Sequence, residues 1–116
     1  MPASVVLIVA LVSLSVAYVT YGRYLARKYK LDPNRQTPAH TKRDGVDYVP
    51  AKAAVLMGHH FASIAGAAPI IGPIVAAAFG WIPVLLWILI GSILMGGAHD
   101  FSALVASIRH GGKTMG

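Results

Sequence analysis

Hydrophobic positions along this chain form two long uncharged runs with one polar stretch between them. Residues 1–22 and 53–99 contain no Lys, Arg, Asp or Glu. The first run, centred on residues 4–21, has the length of one membrane-spanning helix. The second is too long for one span at 1.5 Å per residue, so it must turn once. The turn falls at Phe79-Gly80-Trp81-Ile82-Pro83, where Gly and Pro interrupt the pattern and Trp suits a membrane interface. The pattern predicts three spans, at residues 4–21, 55–79 and 82–108.

Charge orients these spans. Eight of the ten Lys and Arg residues lie between Arg23 and Lys52, and the other two are Arg109 and Lys113. Positive charge follows the first apolar run, whereas a cleaved signal peptide carries it in front. The first helix therefore stays and places its C-terminal end in the cytoplasm. Tyr18, Tyr21 and Tyr24 near that end suit an interfacial belt. Every Lys and Arg then falls on one side, with the N-terminus outside and the C-terminus inside. The expected organisation is a first transmembrane helix over 1–24, a basic cytoplasmic connector over 25–53, and a broken second helix with a long third helix over 54–116. Pro33, Pro38, Pro50 and the Asp44-Gly45 pair mark the connector as turns, with Asp47 and Tyr48-Val49-Pro50 placed to cap or gate the next helix.

Composition agrees with a membrane chain. Of 116 residues, 56% are hydrophobic and 12% charged, against about a quarter charged in soluble domains. The net charge of +6 does not point to nucleic acid, because no basic stripe alternates with aromatic residues. Without cysteine there is no disulfide or thiolate metal site.

The second span carries the most informative pattern. His59 and His60 stand near its start, and Gly66, Ala67, Ala68, Pro69, Gly72 and Pro73 interrupt its middle. Interior proline removes a backbone bond and clashes with the preceding turn. Broken backbone at membrane depth is tolerated where protein or a water-filled cavity takes up the freed groups, and transporters build sites from such helices. A kink that only fits neighbouring helices gives the same pattern. Ala68, Gly72, Ala76 and Gly80, spaced by four, predict a small-residue stripe for close helix packing.

Asp100, preceded by His99, is the one acid within an apolar span. It precedes Arg109 by nine residues, about 13 Å along a helix, below the headgroups. Intramembrane carboxylates face the protein interior or a water path, which makes Asp100, with His59, His60 or His99, a candidate for proton or ion coupling. A buried ion pair that joins two helices is the competing reading. The four residues are acceptable metal ligands, but their spacing fits no zinc motif and the chain has no glutamate. No metal, cofactor or enzymatic activity is expected.

Three stretches carry a resemblance. They are Asp32-Pro33-Asn34-Arg35-Gln36-Thr37-Pro38-Ala39, then Asp44-Gly45-Val46-Asp47-Tyr48-Val49-Pro50, then Gly58-His59-His60-Phe61-Ala62-Ser63-Ile64-Ala65-Gly66-Ala67-Ala68-Pro69-Ile70-Ile71-Gly72-Pro73. With Asp100-Phe101 and Arg109, they resemble the N-terminal part of the carbon starvation protein A (CstA) family of prokaryotic membrane transporters. The resemblance implies an all-α, multi-pass protein of the prokaryotic inner membrane. It implies secondary active uptake of peptides or pyruvate coupled to protons, with a broken-helix inverted-repeat fold in the whole transporter. The partners it implies are the lipid bilayer, the transporter's remaining helices, the solute and H⁺, with Gly66 to Pro73 along the substrate path. A non-transporting membrane subunit that docks partner helices is the alternative.

Overall fold

The computed structural model describes residues 1–114, which contain helices and no strand. Two helices are long and apolar enough to cross a membrane, and a bent pair of shorter helices makes a third span. The chain forms two compact units, one of Met1–Arg35 with the chain from Leu85 onward, the other of Gln36–Val84.

In the first unit, helix α1 covers Ala3–Lys28. Its 26 residues extend about 39 Å at 1.5 Å each, more than the ~30 Å of bilayer hydrocarbon. The last turn, with Arg27 and Lys28, therefore emerges on the polar side, where cations also favour the helix C-terminus. Ser15 and Thr20 donate to the carbonyls of Leu11 and Val16, each at 2.7 Å. These bonds satisfy both hydroxyls in a medium without water. Lys30, at φ +49°, ends the helical path.

A second continuous helix covers Trp81–Arg109. Its middle is a π-helical turn, Gly91–Gly96, after which the amide of Gly97 reaches back to Ser92 O. Glycine suits this widened turn. A Cβ on Gly97 would stand 3.4 Å from Ser92 O, and one on Gly96 would stand 3.7 Å from Gly91 O.

On α1 the less exposed positions are Val6, Ala10, Ser13, Ala17, Tyr21 and Leu25; on the long helix they include Leu89, Ile93, Gly97, Phe101 and Val105. Spacings of three and four put each set on one helix face. Leu25 and Val105 are the buried hydrophobic residues among those described, at 6% and 7% exposure.

The second unit opens with turns and the short helix α2, Pro38–Thr41. Just before it, Asn34 N donates to Asp32 Oδ1 at 2.9 Å. Further on, Asp44 Oδ1 accepts from the amides of Val46, Asp47 and Tyr48 at 2.9, 2.9 and 2.8 Å. Gly45, at φ +78°, allows that tight loop. Helices α3, Ala53–Ile64, and α4, Ala67–Ala76, follow. A 3₁₀ turn, Ala77–Phe79, leads to Gly80 at φ +112°. Helix α5, Trp81–Ile90, begins the long helix, whose π-helical turn leads into α6, Gly97–Arg109.

Three details differ from the sequence-based expectations. The small-residue stripe stops at Ala76, because Gly80 leaves the helical conformation. Asp47 does not cap α3, whose N-cap is Lys52 with no side-chain bond. The third span contains a π-helical turn that the hydrophobic period does not reveal.

Candidate functional site

The second span is broken, with α3 and the helical stretch Ala67–Phe79 bent by 56°. The break is two residues long. Ala65, at φ −74° and ψ 56°, is the centre of an inverse γ-turn, closed by the Gly66 amide on Ile64 O at 2.7 Å. Gly66 is extended and N-caps α4 without a side-chain bond. The amides of Ala67 and Ala68 are thus first-turn donors with no capping side chain.

The break is narrower than the sequence pattern implies. Of Gly66, Ala67, Ala68, Pro69, Gly72 and Pro73, only Gly66 lies outside a helix. Pro69 is the third residue of α4, where its missing N–H would have no intrahelical acceptor, so it helps begin a helix. Pro73 is interior and offers no N–H to the Pro69 carbonyl. The result is a short helix with its N-terminal amides at the break and a weakened ladder one turn later.

His59 and His60 lie on α3, His59 exposed and His60 half-buried. Ser63 Oγ donates to His59 O at 2.9 Å, across one helical turn. His99 and Asp100 belong to the other unit, in the first turn of α6 just beyond the π-helical turn. His99 Nδ1 and Asp100 Oδ1 are 3.2 Å apart, with side-chain exposures of 82% and 39%. The carboxylate and imidazole are therefore within hydrogen-bonding reach, a pair able to exchange a proton. No group of three His, Cys, Asp or Glu side chains with metal-binding geometry exists among the described residues.

Sequence reasoning did not anticipate the contacts that join α1 to α6. Tyr29, at the C-cap of α1, is hydrogen-bonded through its hydroxyl to Ser102 Oγ. Its ring lies 5.8 Å from that of Phe101. Arg109 donates to the Tyr29 carbonyl, one of the groups a helix end leaves unpaired. The only advance signal was the residue types, an interfacial Tyr and an Arg at a helix end.

The contacts also fix direction within this unit. The end of α1 meets Phe101, Ser102 and Arg109, while a groove along residues 14–26 is lined across from α1 by Ser92, Ile93, Gly97 and Phe101. The two helices therefore run parallel. Residues 36–84 must return the chain from the basic end of this pair to its opposite end.

The sequence profile described as "Carbon starvation protein CstA" matches residues 2–116. A protein of Helicobacter pylori named "Peptide transporter CstA" is 53% identical over 103 residues, 88% of this chain and 15% of that protein. The Bacillus subtilis protein of the same name is 46% identical over 116 residues, 99% of this chain and 19% of that one. "Pyruvate/proton symporter BtsT" of Escherichia coli is 50% identical over 102 residues, 87% of this chain and 14% of its own length. The chain thus spans less than a fifth of the length of these relatives. No solved structure matches it.

Proposed function

Because the chain belongs to the carbon starvation protein CstA family, we propose that it forms the N-terminal part of a secondary active transporter of the prokaryotic inner membrane. In this reading the transporter takes up peptides or pyruvate and is driven by protons. The observation that carries it is the break at Ala65–Gly66, where α4 presents the uncapped amides of Ala67 and Ala68. Pyruvate and peptides share a carboxylate, and helix N-termini attract anions through free N–H groups and the helix dipole. Broken helices hold substrate carboxylates in this way in other transporters. Pro69, Gly72 and Pro73 keep α4 short and weakly tied, so that it can shift as access alternates.

Asp100 takes and releases the coupling proton, with His99 beside it; His59 and His60 are further relay candidates. The N-terminus is outside and every Lys and Arg is cytoplasmic. The parallel course of α1 and α6 supports that arrangement, because it requires one return crossing between them. The protein transports and does not catalyse a reaction, and the relatives' transporter names favour that reading.

The test is uptake of labelled pyruvate and of a labelled dipeptide into vesicles that hold the complete transporter, with and without an inward proton gradient. Gradient-driven uptake of either is expected, and Asp100→Asn should uncouple it from the gradient. Absence of uptake of both solutes would refute the transport reading. Unchanged coupling in Asp100→Asn would remove that residue from the proton path.

A further inference from the structure

The groove between α1 and the long helix has a volume of about 630 Å³. Its lining includes Leu14, Ala17, Leu25, Ile93 and Phe101, and Arg23 is the one charged residue among the lining residues. From Leu14 to Arg23 along α1 is about 14 Å, close to half of the ~30 Å hydrocarbon thickness. The groove therefore extends from near the bilayer centre to one headgroup plane, and Arg23 marks the headgroup end.

That end is strongly cationic. Arg27 and Lys28 follow on α1, Lys30 stands just beyond it, and Arg109 lies at the parallel end of α6. Lys28 is engaged by Tyr24, with Nζ 3.3 Å from the hydroxyl. Arg23 and Arg27 have no acidic partner among the described residues, and they share a helix face at i, i+4. Unpaired guanidinium groups at headgroup level favour phosphate. A slot one leaflet deep fits an acyl chain better than a helix, which would need contact across both leaflets.

We propose that this groove binds one anionic phospholipid of the cytoplasmic leaflet, its acyl chain between α1 and the π-helical turn and its phosphate on Arg23. Gly22 is a lining residue whose missing side chain leaves room, since a Cβ there would meet nothing within 4 Å. This inference does not depend on which solute the transporter moves.

The experiment reconstitutes the 116-residue chain in vesicles of equal parts phosphatidylcholine and phosphatidylglycerol. The protein is then extracted in mild detergent and its retained lipids are counted by native mass spectrometry. One phosphatidylglycerol per chain should be retained in preference to phosphatidylcholine. Arg23→Gln should lower that preference about fivefold, while Arg23→Lys should keep most of it. Gly22→Phe should abolish retention of both lipids by filling the slot. Equal retention of the two lipids by the native chain would overturn the proposal. So would unchanged phosphatidylglycerol retention in Arg23→Gln, which decides the matter if Gly22→Phe does not fold. A lipid-free dimer that survives extraction would assign the groove to a second copy and also overturn it.

Discussion

The hydroxyl of Tyr29 is hydrogen-bonded to Ser102 Oγ, 73 positions away in the chain. Ser102 uses its own proton on Ala98 O, at 2.6 Å. Tyr29 is therefore the donor in the contact between the helices. The bond ties the end of α1 to α6 at the basic end of the pair, and Arg109 adds a second tie to the same residue.

Tyr29→Phe keeps the ring against Phe101 and removes only that donor. It should cost about 1 kcal/mol of stability, read as a lowered melting temperature in detergent micelles. Ser102→Ala should cost a similar amount. The double variant should cost clearly less than their sum, because both single changes remove the same bond.

Arg109 reaches a carbonyl that α1 leaves unpaired. Arg109→Leu should fray the last turn of α1, seen as faster hydrogen exchange of its amides, with a stability loss of about 1 kcal/mol for a solvent-exposed charged donor. Exchange near Ala3 should not change. Uniform acceleration along α1 would show that Arg109 acts on the helix as a whole.

Pro73 lies inside α4 and withholds a donor from the Pro69 carbonyl. Pro73→Ala restores that bond and should stabilise the helix by up to ~3 kcal/mol, with increased helical circular dichroism. If a loosely tied α4 serves transport, the same variant should transport more slowly while melting at a higher temperature. Faster or unchanged uptake in a stabilised Pro73→Ala protein would mean that the weakened ladder is only a packing kink.

The Asp44 loop should respond to acid. The amides of Tyr48 and Val46 hold the Asp44 carboxyl below the usual aspartate value, with the Asp47 amide adding to them and burial opposing. A carboxylate lowered on folding stabilises the loop fully above its unfolded value. That contribution is lost as pH falls through the lowered folded value. Amide resonances of Val46 and Tyr48 should therefore shift together in an acid titration, and Asp44→Ala should show the shifted positions already at neutral pH.

The chain's own order of residues determined its class and the number of its spans. Uncharged runs long enough to cross a bilayer have few alternatives, because unpaired backbone groups are too costly in hydrocarbon. It also determined that the second span would break near Gly66 and that the next turn would use Gly80, since Gly and Pro act locally. The width of the break was less legible. Pro69 and Pro73 look alike in sequence, but one begins a helix and the other weakens it, and only their register to Gly66 separates them.

The three-dimensional arrangement decided the rest. The π-helical turn at Gly91–Gly96 leaves the apolar pattern unbroken, because one extra residue per turn changes backbone pairing and not hydrophobicity. The Tyr29–Ser102 and Arg109–Tyr29 contacts join residues more than seventy positions apart. A single sequence contains no local trace of such pairs, since they exist only once two helices have chosen a direction and a face. The parallel packing of α1 and α6 makes that choice, and it also forms the groove that ends at Arg23.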